Sequence, residues 1–253
     1  MAQLTSVIQY LNALLEPGTY RDHALNGLQV ESSNAVIQKV AVAVDAGQSV
    51  ISAAVEQSSD LLIVHHGLFW GESEPITGAL GKKIQTLISR KCSLYASHLP
   101  LDGNLEVGNA FELGRFLQLD NLERFCEYHG MTIGAKGTLS RSVKLSDCEE
   151  LLSEIPQNTR MLSLGFGTEQ ISRVGIVTGS GSSAITQAAL EELDLLITGE
   201  PKQSAYHLAK ESRMNVIFAG HYATEIFGVK ALAKRVQSEF DVETTFIDEP
   251  TGI

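Results

Sequence analysis

Two stretches of this chain, Lys39 to His66 and Arg173 to Glu200, align without a gap, and this repeat limits the possible folds more than any other feature. Val40 falls opposite Val174, Gly47 opposite Gly181, Ser49 opposite Ser183, Ile51 opposite Ile185 and Ala54 opposite Ala188. Asp60-Leu-Leu-Ile63 matches Asp194-Leu-Leu-Ile197. Each stretch reads as an apolar strand, a Gly/Ser turn, a helix with an apolar stripe, and a second apolar strand ending in polar residues, which is a β-α-β unit. Any two such units share residue preferences. The absence of a gap, and a His-x-x-x-acid motif following each unit, favour a true duplication.

Those motifs are His98-Leu-Pro-Leu-Asp102 and His221-Tyr-Ala-Thr-Glu225. A His and an acid four residues apart share a helix face or one side of a tight turn, so both can point at one metal ion. Two related halves that each deliver such a pair suggest one composite site.

Alternating strands and helices predict an α/β protein of two related lobes with mainly parallel sheets and a metal site between the lobes. The first lobe is drawn at residues 1–128. It has an opening helix on Val7, Ile8, Leu11, Leu14 and Leu15, then strands at 39–44, 61–64 and 93–97, with helices near 47–58, 81–90 and 106–117. The second, 129–253, begins after Gly130 with a variable-looking stretch to about 170, in which Ser146-Asp-Cys-Glu149 reads as a capping box. Strands at 173–178, 194–198, 215–219 and 242–247 follow, with helices near 182–192, 202–211 and 224–238. Ligands of such sheets bind beyond the carboxyl ends of the strands. His65, His66, His98, Glu200 and His221 all occupy those ends.

Composition narrows the function classes. Nineteen basic against 30 acidic residues give a net charge of −11; this disfavours nucleic acid as a partner, and no basic cluster offsets it locally. No apolar run is long enough to span a bilayer, and no secretory signal is apparent. Cys92, Cys126 and Cys148 lack metal-type spacing and read as reduced thiols of a cytoplasmic protein.

Three candidate imidazoles (His65, His66, His221) and two carboxylates (Asp102, Glu225), with His98 and Glu200 nearby, exceed what one catalytic zinc needs. They suit two divalent ions about 3.5–4 Å apart. Donors of this kind fit Zn, Mn, Fe or Co alike. Because neighbouring strand residues face opposite ways, His65 and His66 reach one site only if the strand ends there, and Gly67 permits that break. His98 is a candidate general base or orienting partner, its alternative being a buried His satisfied by backbone. Glu200 is a candidate proton acceptor or an orienter of a ligand His, its alternative a solvated carboxylate. The loop Gly179–Ala184 reads as a tight packing turn rather than a phosphate cradle, Phe69-Trp70 as packing rather than a lip over a ring, and His207 as part of a polar helix face.

The strings NGLQV (26–30), IVHHG (63–67), SHLPLD (97–102), TGE (198–200) and GHYATE (220–225) resemble those of the NIF-three-like family, whose members are often labelled type 2 GTP cyclohydrolase I homologues. The resemblance runs nearly end to end, weakest over 120–170, and is close to the short bacterial members that lack an inserted middle domain. It implies a dinuclear metal centre held by His65, His66, Asp102, His221 and Glu225, and a ring-shaped homohexamer. It also implies a hydrolase acting on a small nucleotide-like or phosphorylated substrate, extending to opening of the GTP ring, with His98 or Glu200 moving the proton. The rival is a non-catalytic metal-binding or adaptor protein.

Overall fold

The computed structural model describes residues 1–156 and 161–252. The first compact unit comprises Met1–Leu101 and Val229–Glu249; the second holds Asp102–Gly228 and the C-terminal tail. The first unit runs through β1 (Ala2–Gln3), α1 (Leu4–Leu15), β2 (Gly27–Val30), β3 (Val36–Ile37), β4 (Lys39–Asp45), α2 (Gln48–Glu56), β5 (Leu61–His66), α3 (Gly78–Ser89) and β6 (Ser93–Ala96). The chain leaves it in α4 (Leu99–Asp102). The second unit contains α5 (Asn109–Phe116), β7 (Asp120–Tyr128), β8 (Met131–Lys144), α6 (Leu145–Ser153), β9 (Leu162–Gly165), β10 (Gln170–Val177), α7 (Ile185–Leu190), β11 (Leu195–Thr198), α8 (Gln203–Glu211) and β12 (Asn215–Phe218). Along α9 (His221–Phe240) the chain returns to the first unit, which β13 (Glu243–Phe246) completes.

The first unit's main sheet has five strands in the order β13-β4-β5-β6-β2, parallel apart from the β2–β6 pair. Its central strands read VAVAV (40–44) and LLIV (61–64), the near-continuous apolar runs needed by a sheet buried on both faces. Val50, Ile51, Ala54 and Val55 of α2 and Leu87 of α3 pack with Leu62 and Val64. Buried Tyr95 donates its hydroxyl to Asn12 of α1 at 3.0 Å, and α1 buries Leu4, Val7, Leu11 and Leu15.

The second unit's sheet has six strands in the order β7-β8-β10-β11-β12-β9. Its centre, β10-β11-β12, is parallel; β8 and β9 flank it antiparallel, and β7 pairs antiparallel with β8. Phe125, Val177, Ile185, Leu196, Val216 and Phe218 form its core.

The repeat is visible as structure. Asp60 accepts the backbone N–H groups of Gln38 and Lys39 on one carboxylate oxygen, at 2.8 and 3.0 Å. Asp194, its counterpart, does the same for Ser172 and Arg173 at 2.9 and 2.8 Å. Each aspartate thereby ties the start of a unit's second strand to the start of its first.

The compact units differ from the expected lobes. Residue 128/129 falls inside the second unit, at the tip of the β7–β8 hairpin, and Asp102 belongs to the second unit rather than the first. The hairpin is held by its pairing with β10, while β13 joins β4 through parallel pairing. His129 and Gly130, at φ 52° and 82°, form the two-residue turn between Tyr128 and Met131. Both positive angles match the twist of the strands they connect. The variable-looking stretch thus contains β8, α6 and β9, its residues 157–160 lying outside the described residues. Helix α6 begins one residue before Ser146, and the Asp147 carboxylate caps it by accepting the N–H of Lys144 at 2.9 Å.

Candidate metal centre

In the first unit, the ends of β4, β5 and β6 bring Asp45, His65, His66 and, one turn later, His98 to one edge of the sheet. As expected, the strand ends at the histidine pair, immediately before Gly67. Its last residue, His66, sits opposite Asp45, and the rings approach to 4.6 Å between centroids. Gly67 is required for a further reason: a Cβ there would lie 2.6 Å from the Cβ of Ala96 and collide with the Gln29 amide. The Gln29 carbonyl in turn accepts the N–H of Leu68 at 2.7 Å, which accounts for the glutamine of the NGLQV string.

Each imidazole is anchored through the same ring nitrogen. Nδ1 of His65 meets the carbonyl oxygen of Ser97 at 2.9 Å. Nδ1 of His66 meets Asp45 Oδ1 at 2.8 Å, and Nδ1 of His98 meets the Asp22 carboxylate at 2.9 and 3.1 Å. A proton on Nδ1 satisfies these oxygens and leaves the Nε2 lone pair available, the tautomer that metal-binding histidines use. His65, His66 and His98 each offer a nitrogen within 4.8 Å of the others. Trp70, 42 % exposed, rests against this group, its ring 5.8 Å from that of His66 and 5.1 Å from that of His98.

The second unit has its own buried carboxylates. Asp102 and Glu225 are 7 % and 3 % exposed, with an oxygen of each within 4.8 Å of the other. Asp102 accepts hydrogen bonds from Thr178 Oγ1 and Asn109 Nδ2, both at 2.9 Å. Asn109 is itself fixed by the N–H of Gly228 at 2.7 Å. His221 opens α9 one turn before Glu225; its Nε2 lies 3.1 Å from Glu225 and its Nδ1 3.1 Å from Glu200. Burial opposes a charge on His221, but the Glu225 and Glu200 carboxylates outweigh it and raise its pKa to about 9. Hydrogen bonds from Ser180 and His221 lower the pKa of Glu200. Burial also opposes ionisation of Asp22; its contacts with His98, Asn26 and Ala24 hold its pKa at about 2.

Two buried carboxylates close together repel each other unless a cation lies between them. Each unit by itself carries donors that suit a divalent cation: three tethered imidazoles in the first, and the Asp102 and Glu225 carboxylates with His221 in the second. The thiols play no part: all three cysteines are buried and free, and burial pushes Cys92 up to about 12.

Other expectations resolve as follows. The Gly179–Ala184 loop is a packing turn, because the N–H groups of Gly179 and Gly181 are spent on the Thr224 and Thr198 hydroxyls at 3.1 and 3.0 Å. Gly179 has φ +60°, and a Cβ there would strike the Glu225 carboxylate and lie 3.1 Å from His221 Nε2. Exposed His207 belongs to the polar face of α8. His98 is held by a carboxylate rather than by backbone, and Glu200 is paired with His221 rather than solvated. Sequence reasoning missed Asp22 and Asp45. Asp45 ends β4 and so carried the same strand-end signal as the histidines.

A model of the family described as Duf34/NIF3 (NGG1p interacting factor 3) matches residues 2–252. Proteins named GTP cyclohydrolase 1 type 2 homolog from Deinococcus radiodurans and Pyrococcus abyssi are each 42 % identical over 247 residues. These matches cover 98 % of this chain and 93 % and 98 % of the relatives. The crystal structure of TTHA1606 from Thermus thermophilus superposes with a TM-score of 0.92 at 38 % identity, over 100 % of both chains. The structure of protein ybgI gives 0.88 at 35 % identity, again over 100 % of both. At 24 % identity, reduced HcgD from Methanocaldococcus jannaschii shares the fold over 98 % of each chain, with a TM-score of 0.85. With sequence and fold matched along almost its whole length, the chain belongs to the Duf34/NIF3 (NGG1p interacting factor 3) family.

Proposed function

We propose that this chain is a metal-dependent hydrolase whose dinuclear centre is held by His65, His66, Asp102, His221 and Glu225, and whose substrate is a small nucleotide-like or phosphorylated molecule. The observation that carries the reading is the common tether of the imidazoles. Oxygen acceptors hold Nδ1 of His65, His66 and His221, an arrangement that serves ligation and that ordinary packing does not require. Two divalent ions held by these residues would supply a water acidified toward neutral pH and would polarise the bond under attack. His98 accepts the proton of that water, and Glu200 holds His221 in its ligating orientation and serves as a second proton acceptor. The printed names of the relatives point to opening of the GTP imidazole ring as the first reaction to assay. The working form is a homohexamer.

The test is a screen of nucleotides and phosphate esters with Zn, Mn, Fe and Co, run beside Asp102→Ala and Glu225→Ala variants and their metal analysis. Both variants are expected to lose metal and at least about 100-fold in turnover, the scale on which catalytic groups act. Turnover that survives both substitutions would overturn the proposal, and wild-type protein that binds metal but turns nothing over would favour the adaptor reading.

A further inference from the structure

Asp22 lies outside every motif noted in the sequence, yet it is among the most tightly held carboxylates in the first unit. Its side chain is 3 % exposed. One oxygen accepts the N–H of Ala24 at 3.0 Å; the other accepts Asn26 Nδ2 at 2.9 Å and the N–H of Leu99 at 3.0 Å. Both face Nδ1 of His98. Asn26 locks the pair a second time, because its carbonyl accepts the N–H of His98 at 2.7 Å. The segment carrying Asp22 is pinned to the strand-end loop beyond the histidine pair: Leu25 donates to the Phe69 carbonyl at 3.0 Å, and Ala24 bridges Trp70. Backbone and side-chain donors thus fix the carboxylate from several directions, and His98 is its one imidazole partner among the described residues.

We propose that Asp22 is a positioning residue, which keeps the His98 proton on Nδ1 and presents Nε2 as an acceptor beside the His65 and His66 rings. The inference rests on the metal-dependent reading above and deepens it, giving the proton-accepting imidazole its own orienting carboxylate. The His98 ring centroid lies 5.2 Å from that of His65 and 5.6 Å from that of His66. Its edge is backed by Trp70, so tautomer and orientation are both set before substrate arrives. In hydrolysis the water O–H bond breaks, its proton passes to His98 Nε2, and the oxygen forms the new bond to the substrate. The scissile bond breaks with its electron pair going to the leaving group, and His98 returns the proton to that group. Asp22 gains no proton in this step; it stabilises the imidazolium that results.

Asn in place of a carboxylate that orients His offers an N–H₂ to Nδ1 and drives the proton to Nε2. In Asp22→Asn the amide oxygen stays where the Asn26 amide and the Leu99 N–H converge, and the N–H₂ takes the position 2.9 Å from His98 Nδ1, at the cost of the Ala24 hydrogen bond. Neutron diffraction from deuterium-exchanged crystals is expected to place the His98 deuteron on Nδ1 in the wild type and on Nε2 in Asp22→Asn, with the Nδ1 tethers of His65 and His66 intact. Metal content of the variant is expected to equal that of the wild type. On a substrate from the screen, kcat is expected to fall about 100-fold or more with KM unchanged. A wild-type deuteron on Nε2 overturns the proposal without any variant, and so does an unchanged kcat in a variant whose tautomer has switched. Loss of metal from Asp102→Ala and Glu225→Ala tests the centre itself, so failure of the two readings can be told apart.

Discussion

At the scale of residues, four imidazoles, His65, His66, His98 and His221, have an oxygen acceptor at Nδ1, and the four acceptors come from Ser97, Asp45, Asp22 and Glu200. The histidines were legible in the sequence because each follows an apolar strand, where parallel sheets place their ligands. Their pairing with Asp22 and Asp45 was not, for a physical reason. A hydrogen bond between residues 76 apart, such as Asp22 with His98, leaves no spacing to read, and the 21 separating Asp45 from His66 match no helical or strand period. If the tethers serve ligation, removing one weakens the metal without unfolding the protein. Asp45→Asn is expected to reduce metal affinity about 10- to 100-fold, the usual cost of losing such an orienting partner. Competition with a chelating dye measures it. An affinity within a factor of about two of the wild type would mean that the Asp45 contact is incidental to ligation.

At the scale of elements, the duplicated β-α-β unit sets both the part of the fold that could be read and the part that could not. Apolar runs such as LLIV at 61–64 and LLIT at 195–198 have few interpretations other than buried parallel strands, and both strands appear within a residue or two of expectation. The β7–β8 hairpin was hidden because its strands are half exposed and bulged, with register shifts at Asp120/Glu123 and at Ile171/Arg173. Bulges break the two-residue alternation on which strand recognition depends. The His129-Gly130 turn is the available signal, and from sequence it reads equally as a joint between lobes. The duplication itself makes a paired prediction through Asp60 and Asp194, each of which accepts two backbone N–H groups on one carboxylate oxygen. Hydrogen bonds to a charged group contribute about 1.5–3 kcal/mol each when removed singly, less where solvent competes. Asp60→Ala and Asp194→Ala are each expected to cost about 2–3 kcal/mol in urea unfolding. A loss below about 0.5 kcal/mol in either would show that the repeat-equivalent contacts are not equivalent in energy.

At the scale of the whole molecule, the proposed donors are unequally distributed: imidazoles dominate in the first unit, and the second holds Asp102, Glu225 and one imidazole. On the proposed reading, a repeat thus yields an unequal set of ligands. His66 and Glu200 occupy equivalent positions in the aligned stretches, yet His66 is tethered through Nδ1 to Asp45 whereas Glu200 is itself the tether of His221. On the proposed reading, metal also offsets a cost built into the fold, the two buried carboxylates of an acidic chain whose net charge is −11. A ligand present at about 100 times its Kd adds about 2.7 kcal/mol to the folded state. At roughly 2–4 °C per kcal/mol for a chain of this size, exhaustive chelation is expected to lower Tm by about 5–10 °C, and re-addition of zinc or manganese to restore it. Asp102→Ala, which keeps one carboxylate but has lost the site, is expected to melt at the same temperature with and without chelator. Light scattering on the same samples should give six times the 27.4 kDa chain mass for metal-loaded wild type. A wild-type Tm indifferent to chelation would show that the carboxylates are accommodated without a cation, and the metal centre would then have to be abandoned.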